Sequence, residues 1–161
     1  MRRAVAVAGP GAWPPQDALG TVTLAWADRH RRRIVLADDA GEPFLLDLER
    51  AALLAEGDGL VLDGGGVIVV RAAEEDVLEA RAGTAAQAAR LAWHLGNRHT
   101  PVQVLADGGL RLLDDPVLAE MLRGLGAEVT LARAPFAPEA GAYARPAEQQ
   151  GHAHQHHHAR P

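Results

Sequence analysis

EEDVLEARAGTAAQAARLAWHLGNRHTPVQVLADGGLRLLDDPVLAEMLRGLGAEVTLARA, residues 74–134, decides the fold, because its apolar residues switch repeatedly between strand and helix spacing. EEDVLEAR (74–81) reads as a strand. Thr84-Ala85-Ala86-Gln87 then fits a capping box, in which the Thr hydroxyl and the Gln side chain satisfy amides left open at a helix start. Ala88, Leu91, Ala92 and Leu95 continue at helical spacing, and Gly96 is expected to end the helix as a left-handed cap. PVQVLA (101–106) and LRLLD (110–114) read as strands joined by an Asp107-Gly108-Gly109 turn. Asp115 is an N-cap with Pro116 at the first helical position. Val117, Leu118, Met121, Leu122 and Leu125 form the stripe of a second helix, Gly126 stops it, and EVTLARA (128–134) closes the series as a strand.

The order β-α-β-β-α-β predicts a ferredoxin-like domain. Upstream, TVTLAW (21–26), RRIVLAD (32–38) and FLLDLE (44–49) are runs of strand length between turn clusters. GLVLDGGGVIVVRA reads as a hairpin about Asp63, Gly64, Gly65 and Gly66. A phosphate loop there would need GxGxxG spacing and a following helix, and it has neither. A short helical turn is expected within AALLAEGDG (51–59). After Phe136 the chain turns to Pro, Ala, Glu, Gln and His without period, the composition of a disordered tail. The class is therefore α+β: a small β domain over 1–72, a ferredoxin-like domain over 73–143 and a flexible His-rich tail over 144–161.

Composition narrows the chemistry. The 161 residues include no cysteine, serine or lysine, which removes disulfides, thiolate metal sites, serine triads, Schiff bases and the P-loop lysine. Histidine and carboxylate chemistry remains, as acid/base work or metal binding. The net charge of −5 argues against nucleic acid, and the run Arg29, His30, Arg31, Arg32 and Arg33 reads as a solvated strand edge or turn. No apolar run approaches a bilayer span. MRRAVAVAGPGAW is too short and too broken for a signal peptide, so a cytoplasmic protein is expected.

Two histidines flank the end of the first helix in HLGNRHTPVQ (94–103). His94 falls in the last turn, where the helix dipole favours a cation, and reads as a capping partner. His99 falls in the connection ahead of Pro101, where its side chain can project outward. One exposed histidine is ordinarily a surface residue. Two copies meeting across a two-fold axis become a pair of nitrogen ligands.

HLGNRHTPVQ (94–103), MLRGLGAEVTLARAPFAPEAGAY (121–143) and VRAAEEDVLEAR (70–81) together resemble the UreE family of urease accessory proteins, which are nickel metallochaperones. The resemblance is weak from about residue 21 and strong over 70–143. It implies an N-terminal β domain of peptide- or partner-binding type and a C-terminal domain that binds metal and forms the homodimer. His99 of each copy would share one Ni²⁺ there, and the tail histidines His152, His154, His156, His157 and His158 would complete or extend the site. The implied partners are the urease accessory GTPase and the apo-urease maturation complex, and no catalytic residue is implied. Where some members carry histidines ahead of the second helix, this chain has Leu113-Asp114-Asp115-Pro116, so Asp114 or Asp115 would have to stand in for a peripheral histidine site.

Imidazole suits Ni²⁺, Zn²⁺ and Cu²⁺ alike, so the other two are expected to bind in vitro. A site left open to water exchanges its ion, as delivery requires, whereas a closed four-ligand site is a structural fixture. With an ordinary pKa of about 6.5, imidazole is mostly neutral near pH 7, and metal binding weakens toward pH 5. The interruptions at Ala153 and Gln155 leave open whether the tail HAHQHHH (152–158) is a purification tag, and the resemblance to a family in which histidine-rich tails are common implies a native one. Two other functions stay open: a passive nickel or zinc store working through the tail, and a small metal-dependent hydrolase using His94, His99 and Asp114 or Asp115.

Overall fold

The computed structural model describes residues 1–140. Among them the chain forms β1 (Arg2–Ala8), β2 (Ala18–Leu24), β3 (His30–Ala37), β4 (Pro43–Leu53), β5 (Gly59–Leu62) and β6 (Val67–Ala72). Then follow β7 (Glu74–Arg81), α1 (Ala85–Asn97), β8 (Gln103–Val104), β9 (Leu110–Leu113), α2 (Pro116–Gly124) and β10 (Glu128–Pro135). Single 3₁₀ turns lie over Pro15–Asp17 and Trp26–Asp28. None of these helices is long and apolar enough to cross a membrane.

The first six strands make one mixed sheet in the order β2-β6-β5-β1-β4-β3, with β1/β4 and β2/β6 parallel. Its core is built from Ala4, Phe44, Leu46, Leu60, Ile68 and Val70, all fully buried. The expected hairpin is there, with Leu60 opposite Ile68 and Val61 opposite Val67. Gly66 closes it at φ +82°, where a Cβ would sit 2.5 Å from the Leu19 side chain.

RRAVAVA (2–8), to which sequence reading assigned no element, forms an interior strand of the sheet, flanked by β4 and β5. Its Val and Ala residues are unremarkable in isolation and gain their strand conformation from pairing on both sides. AALLAEGDG has no helical turn, because Ala52 and Leu53 pair with Arg31 and His30 and so extend β4. The turn that follows is closed by Asp58, whose carboxylate accepts the Ala55 N–H at 2.7 Å.

The second sheet is wholly antiparallel in the order β10-β7-β9-β8, from elements that follow one another as β-α-β-β-α-β. Both helices pack on the face that carries Leu78, Ala80, Leu110 and Leu112, burying Leu91 and Leu95 of α1 and Ala119 and Leu122 of α2. Burying side chains of this size contributes about 1.5–3 kcal/mol each, so the helices are fixed mainly by this contact. β8 is shorter than PVQVLA suggests. Pro101 has no N–H to pair, and Leu105 already belongs to the turn, its N–H donating to the Gly109 carbonyl at 2.8 Å.

Both N-caps form. The Thr84 hydroxyl accepts the Gln87 N–H at 3.1 Å, but the Gln87 carbonyl takes the N–H of Gly83 rather than that of Thr84. Its amide nitrogen reaches across to the Leu125 carbonyl, tying the start of α1 to the end of α2. One Asp115 oxygen accepts the N–H groups of Val117 and Leu118 at 2.9 and 3.1 Å.

Candidate metal centre

The two helices end in the same motif, filled differently. At the end of α2 the Gly126 N–H donates to the Arg123 carbonyl and the Ala127 N–H to the Leu122 carbonyl, at 2.9 and 3.0 Å, with Gly126 at φ +85°. This is the paired bonding of a Schellman cap, with glycine in its left-handed seat as expected. At the end of α1 the His99 N–H donates to the Gly96 carbonyl and the Thr100 N–H to the Leu95 carbonyl, at 3.0 and 3.2 Å. The left-handed residue here is His99, at φ +53°.

Gly96 therefore does not cap the helix. It lies inside α1, and a Cβ on it would meet nothing within 4 Å. The helix runs three residues further than glycine placement suggests, because the end is set by where the cap bonds can form. A side chain in the left-handed region costs on the order of 1 kcal/mol, although histidine enters it more readily than most residues. His99 is also exposed. The cap turns its backbone out of the helix and holds it at two hydrogen bonds.

A cleft of about 360 Å³ opens beside this cap. Arg98, His99, Thr100 and Pro101 line one side of it, Leu113 comes from the end of β9, Asp114 and Asp115 from the turn between β9 and α2, and Leu118 and the buried Phe136 complete it. Asp114 is exposed, while Asp115 is engaged as the N-cap of α2. The structure thus brings one histidine and two carboxylates to the same cleft. His94 does not join them. It stands in the last turn of α1 as expected, with its ring edge-on to Trp93 at 4.9 Å, while the Arg98, His99 and Thr100 amides occupy the end carbonyls.

Among the described residues no group of three or more His, Asp or Glu side chains is gathered closely enough to enclose an ion. His152, His154, His156, His157 and His158 lie outside the described residues.

Past β10 the Phe136 ring is fully buried, the Ala137 N–H donates to the Gln103 side chain at 3.1 Å, and the Glu139 N–H donates to the Val102 carbonyl at 2.8 Å. The Glu139 carboxylate accepts the Val104 N–H at 3.0 Å and borders a second cleft with Gly96, Thr100 and Pro101. The chain is thus tied at Glu139 to Val102 and Val104, a few residues after His99. Sequence reading missed these anchors; the signal available was the Phe136-Ala137-Pro138-Glu139 run, apolar then acidic, immediately after the last strand.

Comparison with known proteins supplies the family. Residues 3–73 match the sequence pattern described as UreE urease accessory protein, N-terminal domain, and residues 75–160 match the corresponding C-terminal domain. The chain is 49% identical over 148 residues to the urease accessory protein UreE of Rhodopseudomonas palustris (strain BisB18), covering 92% of this chain and 69% of that one. It is 49% identical over 151 residues to the protein of that name from Bradyrhizobium sp. (strain ORS 278), covering 94% and 71%. With the one from Chelativorans sp. (strain BNC1) it shares 46% over 145 residues, covering 87% and 91%. The two pattern matches together span nearly the whole chain, and the motif around His99 lies inside the second of them: the chain belongs to the UreE urease accessory protein family.

Proposed function

We propose that this chain is a nonenzymatic nickel carrier that serves urease maturation, binding Ni²⁺ between two copies through His99 and passing it on. The observation that carries the reading is the cap of α1, which holds an exposed histidine in a seat that glycine fills in α2. Backbone strain of this kind persists where the surroundings over-determine it, and it clusters at ligand sites. In this reading the second unit is a ferredoxin-like domain over 73–143 and the first a partner-binding β domain over 1–72, while the tail over 144–161 lies outside the described residues.

Pairing of two copies is supported by what α1 exposes beside His99. Trp93, six residues earlier, is 63% exposed, and Gly96 leaves open space beyond its Cα. An exposed indole next to a helical glycine suits close approach of a second body, since glycine inside a helix costs about 1 kcal/mol relative to alanine and nothing in this chain requires it. Each copy then brings one imidazole, and the remaining positions are left to water, to Asp114 or to tail histidines.

The tail works by tethering. Held on the same chain as the anchor at Glu139, the tail histidines meet His99 at a higher effective concentration than separate ligands would. Nickel exchange at an unsaturated site suits transfer to the apo-urease maturation complex through its GTPase, in the cytoplasm. Complementation in a urease-positive cell lacking its own carrier tests the delivery role. The intact chain is expected to restore urease activity at limiting nickel and His99→Ala to fail, with excess nickel rescuing both; full activity from His99→Ala at limiting nickel would favour a passive store. The hydrolase reading loses its geometric basis, because His94 stands apart from the His99 cleft.

A further inference from the structure

Arg29 is a cation buried where the two sheets meet, only 2% exposed, and the function proposed above makes no use of it. Its guanidinium lies 5.1 Å from the centre of the Trp26 ring, and Nη2 donates to the Phe136 carbonyl. The Trp26 and Phe136 rings meet edge to face at 5.8 Å, and the Trp26 N–H donates to the Glu75 carboxylate at 2.9 Å. Trp26 and Arg29 belong to the turn entering β3 of the first sheet. Glu75 is on β7 of the second sheet, and Phe136 follows β10.

Burial pulls the pKa of Arg29 down, with Glu75 and then Glu56 pulling it the other way, and a guanidinium keeps its charge regardless. Among the described residues its Nε has no hydrogen-bond partner. An apolar side chain of similar volume would fill this space without a buried charge and an idle donor, so volume does not account for arginine here. What the guanidinium adds is direction, through a charge-assisted bond to one carbonyl and a ring held beneath it. That carbonyl belongs to Phe136, which lines the His99 cleft.

We propose that Arg29 is a positioning residue, which locks the first sheet to the His99 cleft through Trp26 and Phe136 so that a partner held by the first sheet meets the metal at one fixed distance. The purpose of that distance rests on the carrier reading; the lock itself does not. Spin labels at Asp63→Cys and Glu120→Cys test it in the full chain, which has no native cysteine, with labelled protein diluted into unlabelled so that any dimer holds one labelled copy.

The parent chain is expected to give a single narrow distance distribution and one thermal transition. Arg29→Met is expected to broaden the distribution at least twofold and to separate the melting of the two halves. Arg29→Lys, which keeps the charge, should recover most of the narrow distribution, and it decides the matter if Arg29→Met fails to fold. A distribution in Arg29→Met as narrow as the parent's overturns the proposal. Nickel titration of the same samples separates the two readings. The carrier reading expects nickel affinity unchanged within twofold in Arg29→Met, whereas a parent that binds no nickel through His99 ends that reading and leaves the distance result standing.

Discussion

His99 is where the demands of folding and of the proposed function part. A left-handed cap residue is most stable as glycine, so His99→Gly is expected to raise stability by about 1 kcal/mol, or leave it unchanged, while removing the imidazole. Denaturant titration checks this, and clear destabilisation would mean that the histidine ring packs in the single chain. Asp115 is the opposite case: its carboxylate satisfies two amides at the start of α2, so Asp115→Ala is expected to cost about 1 kcal/mol by the same measurement. Caps of this kind were legible in the sequence, since Asp115-Pro116 and Gly126 are each the residue their position prefers. His99 as a cap was not, because Gly96 offered a better local solution, and only the hydrogen bonds actually formed past Asn97 decide against it.

Among the elements, β7, both helices and the 59–72 hairpin were readable because their own periodicity specifies them. β1 and the end of β4 were not, because their strand character comes from partners distant in sequence. The first sheet is also where acid should act first. Asp38 is held below the usual carboxylate range by Arg2 and by the Glu42 and Ala40 amides, and Asp39 by the hydroxyl of Thr21 and by Thr23. These groups join the turn after β3 to β1 and β2. A carboxylate with a depressed folded pKa lends stability that is fully present above its unfolded value near 4 and is lost as pH falls through the folded value. Stability is therefore expected to fall below about pH 4, and hydrogen exchange at the β2 and β3 amides should quicken there before that of α1 and β7. Equal protection of both sheets down to pH 2 would contradict this. In the second sheet the test is packing: Leu95 is fully buried at the end of α1, and Leu95→Ala is expected to cost about 2–5 kcal/mol.

For the whole molecule, the sequence conveyed the α+β class, with strands alone at first and strands mixed with helices after them, and the resemblance carried by HLGNRHTPVQ supplied the family. It could not convey how the halves are joined, because Arg29, Trp26, Glu75 and Phe136 come from three separate stretches and each looks ordinary alone. Nor could it reveal that Glu139 ties the base of the tail beside the His99 cap. Removing residues 147–161 is expected to leave dimerisation intact and to lower only the number of ions bound, which sedimentation and metal analysis would measure together. The central claim is that one histidine from each of two copies makes the tight nickel site, and calorimetric titration of Ni²⁺ into the intact chain and into His99→Ala tests it most directly. The account predicts one tight ion per two chains, absent from His99→Ala, with weaker tail binding left behind. Tight binding of the same stoichiometry in His99→Ala would contradict it.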